Sequence, residues 1–223
     1  MNCFLLKIIV SLMLLSLTCL ANSNGNISVS SPAPSPLAKK LDLQHGDLIF
    51  IKTSESAFDK AISQATQKDE VSYTHIGIFD LYSDSVLEAE PKQGVVRKKL
   101  EIFLKENPLF DIMRLTPKVA KNVDIQASIK RAEKHLGEPY DFTYTANNGA
   151  MYCSELVYEA FLDTKGQHIF SAKPMNFYAP DGSLPQYWKE LFKKLQKPIP
   201  QGELGTNPND MARDKVLMRV NKS

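Results

Sequence analysis

Cys153 stands where a long loop gives way to apolar residues at helical spacing, in the run YCSELVYEAFL at 152–162. A thiol attacks as the thiolate. The partial positive charge and unpaired N–H groups at a helix start favour that form, and the same N–H groups can hold an oxyanion formed by attack on a carbonyl. A thiolate needs a base, and the chain has four histidines. His45 precedes a strand, His135 ends a charged helix and His168 follows Gly166 in a loop, so all three are expected to be solvated. His75 lies inside the strand pattern YTHIGIF at 73–79. Alternation puts Ile76 and Ile78 on one face, and Tyr73, His75, Gly77 and Phe79 on the other. A third group orients such an imidazole. The next strand pattern offers Glu88 and Glu90 on the face of Val86. Glu88 is flanked by Leu87 and Ala89 and is the better interior candidate, whereas Glu90 precedes Pro91 at the strand end. Taken singly, each residue has a plainer reading: a lone cysteine is often a small core hydrophobe, and a strand histidine is often a satisfied core residue. Glu155, in the first turn of the cysteine helix, is expected there for the helix dipole alone.

The elements that must position these groups read as follows. Strands are expected over 47–52, 73–81 and 85–90, with a turn at 82–84, and shorter ones over 95–98 and 111–115. A helix over 56–67 carries Ala57, Phe58, Ala61, Ile62 and Ala65 at helical spacing. Another over 123–136 ends in Arg131, Lys134 and His135 and closes at Gly137. A long loop over 137–152 leads to the cysteine helix at 153–162. A helix over 186–197 holds the only tryptophan, Trp188, and 215–220 reads as a returning strand. This order implies an α+β fold with an antiparallel sheet.

The chain has 223 residues, 43% of them hydrophobic and 23% charged, which is the balance of one globular domain. Its net charge of +2 excludes the basic face of a nucleic-acid binder. Three cysteines exclude a disulfide scaffold. Residues 1–21 have the pattern of a signal peptide: Lys7 is the only charge, 8–20 is apolar apart from Ser11, Ser16 and Thr18, and Ala21 precedes a polar run. That apolar stretch is shorter than the ~20 residues of a stable membrane span. A lipoprotein cut before Cys19 is the second reading, disfavoured by the bulky Thr18. Residues 22–40, rich in Ser, Asn and Pro, are expected to be a flexible linker, and 41–223 a single domain. Removal of the signal leaves Cys153 as the only cysteine, unpaired in an oxidising periplasm or cell envelope.

Taken together, the motifs resemble a known family. HGDLIF (45–50), YTHIGIF (73–79) and VLEAE (86–90) resemble the strands of NlpC-type papain-like cysteine peptidases. In those enzymes the cysteine helix precedes the strands. Here GEPYDF (137–142) and YCSELVYEAF (152–161) follow them, as in the circularly permuted YiiX/YebB-like branch, the permuted papain-like amidases related to the lecithin:retinol acyltransferase group. The resemblance spans 44–162. It implies a papain-like domain whose central antiparallel sheet or half-barrel packs against helices. It also implies that Cys153 is the nucleophile, His75 the base, Glu88 the orienting group and Asp47 a structural residue. Tyr140 and Tyr152 match aromatic positions that line the cleft or assist the oxyanion hole, with packing as the equal alternative; Tyr73, on the His75 face, is a third candidate for substrate contact.

The expected activity is hydrolysis of an envelope amide, such as a peptidoglycan peptide, through an acyl-enzyme on Cys153. One cysteine and scattered histidines provide no metal-ligand cluster and call for no cofactor. The chain is expected to act as a monomer. The alternatives are a lipid acyltransferase or thioesterase using the same site, and a catalytically silent binding module. The region after about 166 follows no recognised motif.

Overall fold

The computed structural model describes residues 33–220. The expected signal at 1–21 and most of the linker lie outside them. Along the chain the elements are α1 (Pro36–Lys40), β1 (Leu48–Lys52), α2 (Ala57–Thr66), β2 (Tyr73–Asp80), β3 (Ser85–Glu90) and β4 (Gly94–Lys99). Then come α3 (Leu100–Glu106), β5 (Phe110–Leu115), α4 (Pro117–Ala120), α5 (Ile125–Glu133) and α6 (Cys153–Ala160). The last are β6 (Lys173–Pro174), α7 (Gln186–Leu195), β7 (Leu204–Gly205), α8 (Pro208–Ala212) and β8 (Leu217–Arg219).

Six strands form one antiparallel sheet in the order β4-β3-β2-β1-β5-β8. Helices pack on both faces, as the α+β reading required. Period-two alternation sends Leu48, Phe50, Ile76, Ile78 and Leu87 to one face, where they meet Leu156 and Val157 of α6. Ile49, Ile51, Phe79 and Val86 point the other way, against Leu100 and Phe103 at α3. Alternation fails once. The β1–β2 register slips between Ile51 and Lys52, and Tyr73 packs with Phe50 on the α6 face. An irregularity of one residue reverses which side a side chain takes, so Tyr73 does not share the face of His75.

Two boundaries differ from expectation. The end of the supposed linker is folded: Ser35 caps α1 by accepting the Ala38 N–H, and Ala38 is fully buried with the second face of the sheet. Helix α5 stops at Glu133, a turn early, because the chain is drawn to β4. There Gly137 N–H donates to Val95 O (2.9 Å) and Val95 N–H to Glu138 O (2.8 Å). The approach is so close that a Cβ on Gly94, whose φ is +76°, would lie 2.0 Å from Glu138 O. Of the histidines expected in solvent, His45 is instead half-buried and accepts the Leu81 N–H (3.3 Å), while His168 is exposed as expected and stacks on Tyr158 at 3.8 Å.

The segment without a motif has a definite place. Met175, Phe177, Trp188 and Phe192 form a third core with Ala61 of α2, and β8 extends the sheet beside β5. Asn209 is buried and ties this segment to β2, accepting the Tyr73 N–H at 2.7 Å.

Candidate active site

Cys153 is the first residue of α6, held there because Leu156, Val157 and Ala160 seat the helix in the core under the sheet. Leu156 N–H is the donor that reaches back a full helical turn, to Tyr152 O at 3.1 Å. The N–H groups of Cys153 and Ser154 precede it in the first turn, where a helix offers no acceptor of its own. Glu155 Oε2 accepts the Tyr152 N–H at 3.3 Å and so caps the helix start. Burial pushes the Glu155 carboxyl up to about 8.

His75 comes from β2. Its Nε2 lies 2.6 Å from Glu88 Oε2 of β3, and the Cys153 thiol is near enough to the ring to act on its titration. Burial alone would lower the imidazole. The hydrogen bonds and negative charges of Cys153 and Glu88 outweigh it and hold His75 up to about 10. Glu88 is 2% exposed. Burial acts to raise its carboxyl, but His75 and Lys98 hold it below its ordinary value. Lys98 Nζ of β4 sits 2.8 Å from Glu88 Oε1 and 2.8 Å from Glu106 Oε2 of α3. The line Cys153–His75–Glu88–Lys98–Glu106 therefore crosses three adjacent strands between two helices.

Glu90 is not the carboxylate at the imidazole; its Oε2 accepts the Lys92 N–H (3.2 Å) at the strand end. Gly77 serves the site in an unexpected way. A Cβ there would lie 2.4 Å from Val86 Cγ1 and 3.3 Å from Phe103 Cζ, so the glycine makes room for the packing behind His75. Asp47 is structural: it is buried, takes Arg114 Nε at 2.8 Å and accepts the Gln44 N–H at 2.8 Å.

The three tyrosines separate. Tyr140 and Tyr152 line a cavity of about 50 Å³ together with Cys153. The Tyr152 hydroxyl accepts the Thr206 N–H at 3.1 Å. Tyr73 lies elsewhere: its hydroxyl donates to Asp111 Oδ2 (2.6 Å) and accepts from Arg219 (3.0 Å). Its expected place in the cleft is corrected by the same slip of register. The sequence reading missed Tyr144, Met175, Phe177 and Trp188, which complete the wall beside Cys153. It also missed Lys98. The four wall residues carry no local signal, because they reach Cys153 only through the fold of the last third of the chain. Lys98 was visible only as the middle of three consecutive cations, Arg97 to Lys99, at the end of a short strand. A second cavity of about 200 Å³, lined by Asp59, Glu90 and Glu106, opens on the side of His75 and Glu88. One end of the array is thus apolar and aromatic, the other polar.

Residues 42–221 match a family model described as permuted papain-like amidase enzyme, YaeF/YiiX, C92 family. The uncharacterized protein YiiX of Escherichia coli K12 is 28% identical over 167 residues, which is 74% of this chain and 79% of that protein. A crystal structure titled metalloprotein YiiX, from Escherichia coli O157:H7, is similar with a TM-score of 0.63 and 26% identity. It covers 81% of this chain and 97% of that one. Among the described residues here, no group of three or more His, Cys, Asp and Glu side chains is placed to share a metal ion.

Proposed function

Because the chain belongs to the permuted papain-like amidases, a family of cysteine hydrolases, we propose that Cys153, His75 and Glu88 are its catalytic residues. The observation that carries this reading is the placement of His75 between the Cys153 thiol and Glu88, with 2.6 Å to the carboxylate. An imidazole held up to about 10 is protonated at neutral pH and is the counter-ion a thiolate needs.

Sγ of Cys153 attacks the amide carbon and a C–S bond forms. The N–H groups of the first α6 turn face the oxyanion; one such donor is worth about 3 kcal/mol. As the C–N bond breaks, the His75 imidazolium gives its proton to the departing amine. Neutral His75 then takes a proton from water, the hydroxide cleaves the thioester, and the acid leaves with the thiolate restored. Lys98 is a positioning residue: it keeps the Glu88 carboxylate charged and aligned on the ring.

The substrate reading is an exported amidase acting on amide-linked molecules of the cell envelope, supported by the signal-like pattern at 1–21. The apolar wall beside Cys153 favours a second reading, transfer of an acyl group from a lipid or thioester through the same intermediate. Cys153→Ala should abolish hydrolysis of amide and ester probes while the protein keeps its thermal transition. Full activity in that variant would sink the mechanism.

A further inference from the structure

Two hydrogen-bond donors enclosed beside Cys153 have nothing to bond. The Tyr144 hydroxyl and the Trp188 Nε1–H are both sealed from solvent without an acceptor. Both side chains line the cavity that Cys153 lines, and their rings meet edge to face with centroids 5.7 Å apart. Trp188 is 2% exposed. Tyr140 acts on the titration of Tyr144, but no hydrogen bond satisfies the Tyr144 hydroxyl. A buried donor left unmade costs roughly 1–3 kcal/mol, and native proteins leave few of them. Tyr144 carries a further cost, since its φ of +53° lies in the left-handed region that bulky residues avoid. Tyr152 and Phe177 pack against its ring and hold it there, at 5.2 Å and 5.6 Å between centroids. Strain and two unpartnered donors thus gather in the side chains that wall this cavity.

We propose that this cavity receives the acyl part of the substrate, and that Tyr144 and Trp188 bind a second carbonyl oxygen carried on that acyl part. A peptide or N-acyl amino acid has such an oxygen; a plain alkanoyl chain does not. The inference rests on Cys153 being the nucleophile. The cavity is small: about 50 Å³ takes a few heavy atoms. Ile62, Met175 and Phe177 give the pocket a general apolar affinity. The two donors add discrimination, because a site built to bond an oxygen is left with unpaired buried groups when an analogue lacks it. Of the two substrate readings, this one favours peptide-like amides over fatty acyl groups.

The test uses two fluoromethyl ketones: one N-acetyl-aminoacyl, the other with its acetamido group replaced by an alkyl chain of equal length. Each alkylates a thiolate by forming a C–S bond as fluoride leaves with the C–F electron pair. Labelling of Cys153 is followed by intact mass and peptide mapping. The amide probe should label at least about tenfold faster, and Tyr144→Phe should bring the ratio of the two rates towards one. Emission from Trp188, the only tryptophan in the chain, should shift with the amide probe and not with its alkyl partner. That spectroscopic readout in the unaltered chain decides the matter if Tyr144→Phe does not fold. Equal labelling with no difference in emission overturns the proposal and leaves Cys153 as the nucleophile. Labelling of Cys153 by neither probe, in a protein with a normal thermal transition, overturns both.

Discussion

Glu88 and Glu155 are both buried carboxyls, one on the sheet beside His75 and the other in the first turn of the cysteine helix. Burial pushes each of them up, yet they end on opposite sides of their ordinary value. Glu88 faces His75 at 2.6 Å and Lys98 at 2.8 Å, and these partners hold it charged. Glu155 has one backbone N–H at 3.3 Å and only acids among the charges that act on it (Asp141, Glu159 and Glu138), and it is pushed up to about 8. Burial by itself therefore says nothing about whether a carboxyl is charged. The cations within reach decide it. On the sheet the charge faces the His75 imidazole; in the helix turn a largely neutral acid caps a backbone without adding negative charge beside Cys153.

The sharpest way to break this contrast is Glu88→Gln. It removes the negative charge behind His75, and kcat/KM at neutral pH should fall by about 10²-fold or more. The pH profile shows whether charge is the cause. His75 must be protonated to serve the leaving amine, so activity in the unaltered chain should persist through mildly alkaline pH and decline near 10. In Glu88→Gln that limb should move down. A profile with an unmoved limb would mean that Glu88 serves only packing.

Lys98→Met should cost less, about tenfold, and shift the limb the other way. Losing a positive charge near His75 makes the imidazolium easier to keep, so the alkaline limb should move up. Lys98→Arg should recover most of the rate. A loss of thermal stability with no movement of the limb would make Lys98 structural and nothing more.

The smallest effect is expected at Glu155. A carboxyl raised in the fold binds a proton that the unfolded chain gives up, so it draws stability down as pH rises from its ordinary 4.5 towards 8. Gln can still accept the Tyr152 N–H without titrating. Glu155→Gln should therefore raise Tm by a few degrees at pH 8 and by less at pH 5, read by thermal unfolding at both pH values. An equal change at both would show that the acid is not held neutral by the fold.

Much of the sheet was legible because its strands obey simple local rules. YTHIGIF and SVLEAE alternate cleanly, and β3 runs over the same residues, Ser85–Glu90, that its pattern marks out. Glu88, favoured over Glu90 from its flanks, is the carboxylate that lies 2.6 Å from His75, since apolar neighbours in a strand report which end is interior. Tyr73 was misplaced for the converse reason: the register slip leaves Thr74 of β2 unpaired between His75 and Tyr73, and no residue type marks an extra residue in a strand. The early end of α5 was hidden likewise, because the bonds that stop it come from Val95, some forty residues away.

By itself the sequence determined the settings of Cys153, His75 and Glu88. Each sits in a run whose spacing names a strand or a helix start, and spacing is a local property. The order of those runs also carried the permutation. Tertiary structure alone decided what surrounds them: Lys98 reaching Glu88 from β4, and Tyr144 and Trp188 bringing unused donors to the cavity beside Cys153. These contacts join residues far apart in the chain, and no periodicity encodes them. They form only when the sheet is paired and the last third of the molecule has folded over the helix that carries the thiol.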